Sequence, residues 1–239
     1  MRKVCLVLLL HLCSCAAIAQ AGAGHPVPAI PVVNQWQSFS DPNEGAFQLE
    51  VPKGWKIVGG TRRWNALQYR NWVSASSPDG NTILGISDPN ELSYVAPSQM
   101  LMASGFRIGS IYDGGGGTRY IVAPYQSGVQ FAVSWGQRKL ASLCTSVKVT
   151  SQRERPDISQ QINAYSRSFG VTHDVGEATF SCSKSGMAMS AYAFTSTTMI
   201  GGGGQGGIWY ADTIEAFLLL RPLPAWPPVC FPTWCGVFA

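Results

Sequence analysis

The sequence predicts an α+β domain in which a mainly antiparallel sheet is covered by about two helices. Strand-like blocks in the first and last parts of the chain, separated by segments with helical periodicity, indicate this class. The composition agrees, because 46% hydrophobic and 13% charged residues are typical of a packed globule and not of a disordered chain. A chain of 239 residues is long enough for one domain with its own core.

The first strands are predicted from alternation and turn residues. Residues 47–51 alternate apolar and polar side chains, and Pro52-Lys53-Gly54 turns the chain into a second strand at residues 55–58. Residues 71–76 and 82–87 flank the sequence S-P-D-G-N, in which Pro and Gly favour a tight turn. This segment is the strongest hairpin signal in the chain.

A helix is predicted after Tyr125. Ser127 and Gln130 have the spacing of a capping box, which satisfies amides at a helix start. The apolar and small residues that follow recur at three-and-four spacing, and they are Val129, Ala132, Val133, Gly136, Leu140 and Leu143. This spacing predicts one buried helix face.

A strand at residues 146–151 and a second helix follow. Pro156 and Asp157 mark the start of that helix, and Gly170 its end. Its inward-facing side chains are predicted to be Ile158, Ile162 and Tyr165.

The last strands are predicted within residues 177–197, with Phe180 and Cys182 on one face and a turn at Gly186. Residues 209–220 stay open between a strand and a helix, because their apolar positions do not decide the period.

The N-terminal segment predicts export. Residues 1–19 read as a signal peptide with a basic start, an apolar run and an Ala-x-Ala site ending at Ala19. An uncleaved anchor is the first alternative, although the run is interrupted by His11 and is shorter than the roughly 20 residues of a membrane span. Lipid attachment at Cys15 within L-C-S-C is the second. The expected location is periplasmic or secreted, with a lipoprotein as the alternative and no stable membrane span after cleavage.

The remaining chain divides into three parts. Residues 20–45 are predicted to be a linker rich in Ala, Gly and Pro, and residues 46–220 a single α+β domain. Residues 221–239 form a Pro/Trp/Cys-rich tail that is either a disulfide-closed cap or the product of a shifted reading frame.

Four cysteines remain after the leader, namely Cys144, Cys182, Cys230 and Cys235. An oxidising compartment favours their pairing, and we favour Cys144 with Cys182 and Cys230 with Cys235 among the three pairings. Buried free thiols are the alternative. A zinc site is disfavoured because the cysteine spacing is not that of zinc ligands.

Several functions are disfavoured by missing context. Once the leader's Arg2 and Lys3 are removed, the net charge is about +2, which is too small to predict nucleic-acid binding. The glycine runs at residues 114–117 and 201–207 lack the acid and the Gly-Lys-Ser/Thr ending of nucleotide sites, so no cofactor is predicted. His173-Asp174 is interpreted as part of a loop, because no nucleophile motif accompanies it.

One stretch is a candidate binding surface. Its arginines, interleaved with aromatic side chains, suit carboxylate, phosphate or sugar ligands, because a guanidinium donates several N–H groups in one plane and also stacks on aromatic rings. The alternative is that the aromatics are core residues and the arginines their solvated rim. The stretch comprises Arg62, Arg63, Trp64, Tyr69, Arg70 and Trp72.

Four short motifs carry a family resemblance. They are F-Q-L-E-V-P-K-G-W at residues 47–55, G-G-T-R-R at 59–63, S-P-D-G at 77–80 and S-D-P at 87–89. These motifs resemble a group of exported bacterial proteins without an assigned function, and the opening is distantly similar to PsbP-like domains. The resemblance implies an antiparallel sheet sandwiched by helices and a non-catalytic, partner-binding role.

The expected function is therefore that of an exported, non-enzymatic domain that binds a protein or a cell-envelope component. A hydrolase of envelope polymers is an alternative that requires two carboxylates about 5 to 10 Å apart in a cleft. A small-ligand carrier is another, and it requires a closed apolar pocket of a few hundred Å3.

Overall fold

The computed structural model describes residues 33–66, 68–201 and 206–219. Strands dominate this part of the chain, and they form a ten-stranded sheet and a separate two-stranded sheet. Neighbouring strands are antiparallel except for one parallel pair. The predicted α+β class and the mainly antiparallel sheet are confirmed, but the sheet is larger than two helices would cover.

The strands are listed here in chain order: β1 Trp36–Ser40, β2 Gln48–Pro52, β3 Lys56–Arg63, β4 Tyr69–Ser76, β5 Thr82–Ile86, β6 Ser93–Val95, β7 Ile111–Gly115, β8 Thr118–Val122, β9 Thr145–Glu154, β10 Val171–Lys184, β11 Met187–Ile200 and β12 Ile208–Leu219. The helices are α1 Gln99–Ala103, α2 Gly128–Ala141 and α3 Pro156–Ser166, and a 3-10 turn follows at Arg167–Phe169.

The large sheet runs in the order β3-β4-β5-β12-β11-β10-β9. A short branch leaves it at β12, where β6 pairs antiparallel with β12 and parallel with β8, and β8 pairs with β7. The two-stranded sheet joins β1 and β2. Strands distant in sequence therefore meet at β5 and β12, so the first and second halves of the chain share one sheet.

The hairpin signals are confirmed. β4 and β5 pair antiparallel around the S-P-D-G-N turn. β10 and β11 pair along their whole length around Ser185 and Gly186, which have φ of 51° and 80°. Gly186 adopts its left-handed conformation without a clash, because glycine has no side chain.

Helix α2 covers one face of the sheet, against β9, β10 and β11. Its predicted capping box is confirmed, because the Ser127 side chain accepts from the Gln130 amide and the Gln130 side chain accepts from the Ser127 amide. Phe131, Trp135 and Leu140 are buried on its inner face. Leu143, which we predicted on the same stripe, lies beyond the end of the helix and is 36% exposed.

The contact between α2 and the sheet combines a close backbone approach with a cluster of aromatic rings. Gly128 lies against the backbone of β10, where an added Cβ would come within 2.5 Å of the Gly176 amide nitrogen. Trp209 of β12 stacks on Tyr94 with a centroid distance of 4.0 Å and meets the Phe131 ring edge-on. The core is thus built around aromatic side chains from the helix, β6 and β12.

A disulfide joins Cys144 to Cys182, with 6.0 Å between their Cα atoms. It connects the segment after α2 to β10, and it confirms the first predicted pair. Cys230 and Cys235 lie outside the described residues, as do the predicted signal peptide and the tail.

Several predictions need correction. Residues 36–40, assigned to the linker, form β1, because a partner strand at β2 supplies the hydrogen bonds that the sequence pattern does not indicate. Residues 209–220, which the sequence leaves open between a strand and a helix, belong to strand β12 as far as residue 219. Tyr165 was predicted inward but is 84% exposed, because α3 turns its polar face to β10.

Among the described residues, no helix combines the length and apolarity needed to cross a membrane.

Candidate functional site

A polar cleft of about 410 Å3 lies where β10 begins, between α3, the end of β9 and the segment before α2. Its walls combine carboxylate, amide, hydroxyl and phenol groups with the backbone of His173. The lining residues are Tyr125, Glu154, Pro156, Ser159, Gln160, Asn163, Thr172, His173 and Asp174. We call it the α3 cleft.

Beyond the end of β9, side chains of α3 supply hydrogen-bond partners for the backbone of β10. The Asn163 amide donates to the His173 carbonyl at 2.7 Å and accepts from the His173 amide at 2.7 Å. The Val175 amide donates to Ser159 Oγ at 2.9 Å. These bonds satisfy the backbone of a buried edge, which would otherwise be costly, and they set the position of one wall of the cleft.

Two carboxylates line the cleft from neighbouring strands. Glu154 pairs with Gly176, and Asp174 precedes that glycine by two residues on β10. Both side chains therefore leave the same face of the sheet as diagonal neighbours, with Cα atoms about 7–8 Å apart. Burial raises the pKa of Asp174, the Gly128 amide that donates to its carboxylate opposes this, and the charge of Glu154 raises it further.

The remaining polar groups are oriented by internal hydrogen bonds. His173 Nδ1 lies 3.0 Å from Thr198 Oγ1, and burial lowers the pKa of His173, which favours the neutral imidazole. The Tyr125 hydroxyl lies 3.0 Å from Thr197 Oγ1, which in turn donates to the Asp174 carbonyl. The cleft therefore presents two acids with neutral donors and acceptors, whereas the His173 imidazole leaves the opposite face of β10 from Asp174 and contacts Thr198.

The charge of the cleft restricts what it can hold. None of its lining side chains is a lysine or arginine, so a phosphate or carboxylate ligand would find no counter-charge there. Within the part of the chain that the structure describes, no cluster of three or more His, Cys, Asp or Glu residues is placed to hold a metal ion. Neutral hydroxyl groups and amines match the cleft best.

The predicted arginine–aromatic stretch lies elsewhere, on β3 and β4, and its exposed arginines have internal partners. Arg63 forms a salt bridge with Glu44 at 2.6 Å, and its guanidinium lies 5.1 Å from the centre of the Tyr69 ring. Arg62 lies 5.2 Å from the Trp64 ring and donates to the Asn90 side chain. Because Arg62 and Arg63 already have partners within the chain, they have fewer free donors for a ligand than the sequence suggests.

The structure does not bring the six predicted binding residues onto one surface. In the β3–β4 ladder Arg62 faces Arg70, and Arg63 faces Tyr69. Because adjacent residues of a strand point to opposite faces, these two pairs lie on opposite sides of the sheet. Arg70 is buried and donates to the Ala211 carbonyl at 2.7 Å, and Trp72 is half-buried.

A buried charge cluster lies on the α2 side of the sheet, and the sequence gives no sign of it. Lys139 of α2 forms a salt bridge with Asp88 at 2.8 Å. Glu215 of β12 is 6% exposed, and its Oε2 has no hydrogen-bond partner among the described residues. Burial raises the pKa of Glu215 to about 7, with Lys139 lowering it and Asp88 raising it.

The residues of the α3 cleft were not identified as a site from the sequence. His173-Asp174 was interpreted as a loop, but both residues lie in β10. Glu154 carried no signal, because its relation to Asp174 depends on the register between two strands. The one usable hint is the adjacency of a histidine and an acid after a predicted helix.

Comparisons with known proteins identify no relative. The chain matches no family model, no curated protein and no solved structure. The similarity to PsbP-like domains therefore stays a prediction, and the function is inferred from the geometry of the cleft and from the fold.

Proposed function

We propose that the chain is an exported, non-enzymatic α+β domain that binds a protein or a cell-envelope component through the α3 cleft. The observation that supports this best is the internal bonding of the cleft, in which Asn163, Ser159 and Tyr125 are held by backbone or hydroxyl partners. A rigid set of donors and acceptors favours ligand binding, because little conformational entropy is lost on association.

Export is supported by two independent features. The Cys144–Cys182 disulfide fits an oxidising compartment. The leader pattern of residues 1–19 predicts translocation to the periplasm or the medium, with a lipoprotein as the alternative. The resemblance to PsbP-like domains agrees with a partner-binding role.

The chemistry of the cleft suggests the kind of ligand. Glu154 and Asp174 favour amines or hydroxyl groups, and they disfavour anionic polymers. Envelope polymers rich in hydroxyl groups and amines, or the lysine side chains of a protein, meet this requirement.

The proposal is tested by replacing the two acids. The purified exported protein is mixed with isolated cell envelopes, and the bound fraction is measured after sedimentation. We expect Glu154→Gln together with Asp174→Asn to weaken binding about tenfold or more, because charge-assisted bonds contribute about 1.5–3 kcal/mol each. Glu50→Gln, on the exposed side of β2, is the matched control. Equal binding by the double variant and the control would remove the cleft as the binding site.

A hydrolase of envelope polymers is the second candidate, and the carboxylate pair is the observation that favours it. Two acids on one sheet face, one of them with a raised pKa, match the acid and base of such enzymes. Asp174 would then donate a proton to the leaving group, and Glu154 would activate water. The release of soluble sugar from envelope polymers by the wild type, lost in Asp174→Asn, would favour this candidate over simple binding. The same release by both proteins, or by neither, would dismiss it.

A further inference from the structure

Strand β9 forms one end of the large sheet, and within the described residues no strand pairs with its outer side. Residues 150–154 are all exposed. A register shift between Val149 and Ser151 interrupts the ladder with β10, so the regular part of this edge is residues 151–154. We call this part the β9 edge. It ends at the α3 cleft, because Glu154 lines that cleft.

The hydrogen-bond pattern shows which backbone groups of the β9 edge point outward. The Arg155 amide donates to the Val175 carbonyl at 2.8 Å, so these residues form a pair of the hydrogen-bonded kind. Hydrogen-bonded and non-hydrogen-bonded pairs alternate along an antiparallel ladder. The amide and carbonyl of Arg153 therefore point to β10, and those of Gln152 and Glu154 point away from it. An added strand would meet two amides and two carbonyls there.

These outward groups differ from the backbone farther along the sheet. Beyond β9, the side chains of Ser159 and Asn163 satisfy the edge of β10. Among the described side chains, none does the same for the outward amides and carbonyls of Gln152 and Glu154. Because the edge is exposed, water satisfies these groups and an extended peptide can replace that water.

The sheet face that carries the Glu154 side chain is negatively charged at the end of the β9 edge. Glu154 and Asp174 both line the α3 cleft, and no described lysine or arginine forms a salt bridge with either. The neighbouring Arg153 and Arg155 leave the opposite face, where both pair with Glu177. A cation placed opposite Glu154 would therefore meet two carboxylates without a competing guanidinium.

We propose, resting on the function proposed above, that the partner is a protein whose extended, lysine-bearing segment adds to the β9 edge as an antiparallel strand. One lysine lies opposite Glu154, with Cβ atoms about 4.5–5.5 Å apart, and its ammonium binds between Glu154 and Asp174. Backbone bonds to Gln152 and Glu154 supply affinity, and the lysine sets the register. A second copy of β9 fits less well, because its regular part is equally short and Arg153, the cation in that part, already pairs with Glu177.

The test measures how the processed, exported protein binds a synthetic peptide, by fluorescence anisotropy. The probe has blocked ends and alternates threonine and valine around one central lysine. We expect norleucine in place of that lysine to weaken binding about tenfold or more, because a charge-assisted bond is lost. Methylation of the lysine's own amide nitrogen should weaken binding about fivefold, because this amide donates to β9. Methylation of the next amide, which points to solvent, should leave binding unchanged.

Variants of the protein test the same contact from the other side. Gln152→Pro removes one outward amide and leaves the bonds to β10 in place, since proline is tolerated where the N–H of an edge strand faces solvent. It should weaken binding of the probe about fivefold or more. Gln152→Ala keeps the amide and is the matched control, with binding within about twofold of the wild type. The methylated probes carry the test if the proline variant does not fold.

The outcomes separate this inference from the proposal for the α3 cleft. The added strand is overturned if the wild type does not bind the probe, if both methylated probes bind equally, or if Gln152→Pro binds as well as Gln152→Ala. It is also overturned if gel filtration shows wild-type dimers that Gln152→Pro dissociates, because a second copy then occupies the edge. In each case envelope sedimentation with the Glu154 and Asp174 variants still tests the cleft by itself.

Discussion

At the scale of single residues, Asp41 shows how one carboxylate organises a turn. It is 5% exposed, and it accepts hydrogen bonds from the amides of Asn43, Glu44, Ala46 and Thr61 and from the Thr61 hydroxyl. Burial alone would raise the pKa of Asp41, but these bonds outweigh burial and hold the pKa well below its usual range. The ionised side chain thus ties the segment after β1 to β3.

Asp41→Ala should destabilise the fold by about 2–4 kcal/mol at neutral pH, because several amides lose a buried acceptor. Since the folded pKa lies below the unfolded one, the contribution of Asp41 is present above about pH 4 and is lost at lower pH. Urea unfolding of the variant and the wild type measures both effects. Thr61→Val, which removes one of the five bonds, should cost about 1 kcal/mol. A variant as stable as the wild type would contradict this role.

Glu215 is also buried, but its pKa is raised, whereas that of Asp41 is lowered. Its pKa of about 7 exceeds the value of 4.5 for a free glutamate, so burial of the ionised form costs stability above about pH 7. Below about pH 4.5 the carboxyl is protonated in both states, and the cost is absent. Glu215→Gln should therefore stabilise the protein by up to about 3 kcal/mol at alkaline pH, with the gain fading as the pH falls. Thermal unfolding across this range measures the gain, and Glu50→Gln, exposed on β2, should show none.

At the scale of elements, α2 behaves as its sequence predicts because its signals are local. The three-and-four apolar spacing and the capping box both lie within the helix and its first turn. For α3 the same spacing was misleading. Ile162 and Tyr165 match a buried stripe, yet the contact with β10 is made by Asn163 and Ser159, whose side chains satisfy backbone groups.

The cap of α2 can be tested alone. Ser127→Ala removes the acceptor for the Gln130 amide and should destabilise the fold by about 1 kcal/mol. Chemical denaturation of this variant measures the effect. Ser127→Asp keeps an acceptor at the same place and should retain most of the stability. Equal losses in both variants would show that the hydroxyl acts through something other than the cap.

At the scale of the whole molecule, the disulfide ties α2 to the sheet. Cys144 and Cys182 are separated by 38 positions and connect the segment just after α2 to β10. Replacing both with Ser should lower the free energy of unfolding by about 3–4 kcal/mol, mainly because the unfolded chain regains the entropy of an open loop. Denaturation with and without reductant measures the loss. Reductant should destabilise the wild type by about the same 3–4 kcal/mol more than it destabilises the double variant, which keeps Cys230 and Cys235; the same response in both would contradict the bridge.

The sequence by itself determined the α+β class, the hairpins at β4–β5 and β10–β11, the capped helix α2 and the favoured Cys144–Cys182 pair. These follow from periodicity, turn residues and cysteine chemistry, which act over short distances along the chain. Only the tertiary structure decided that Glu154 and Asp174 share a cleft, that Glu215 is buried near Lys139, and that the predicted arginines divide between two faces. The reason is that strand register and packing join residues far apart in sequence, and a local pattern carries no information about that register.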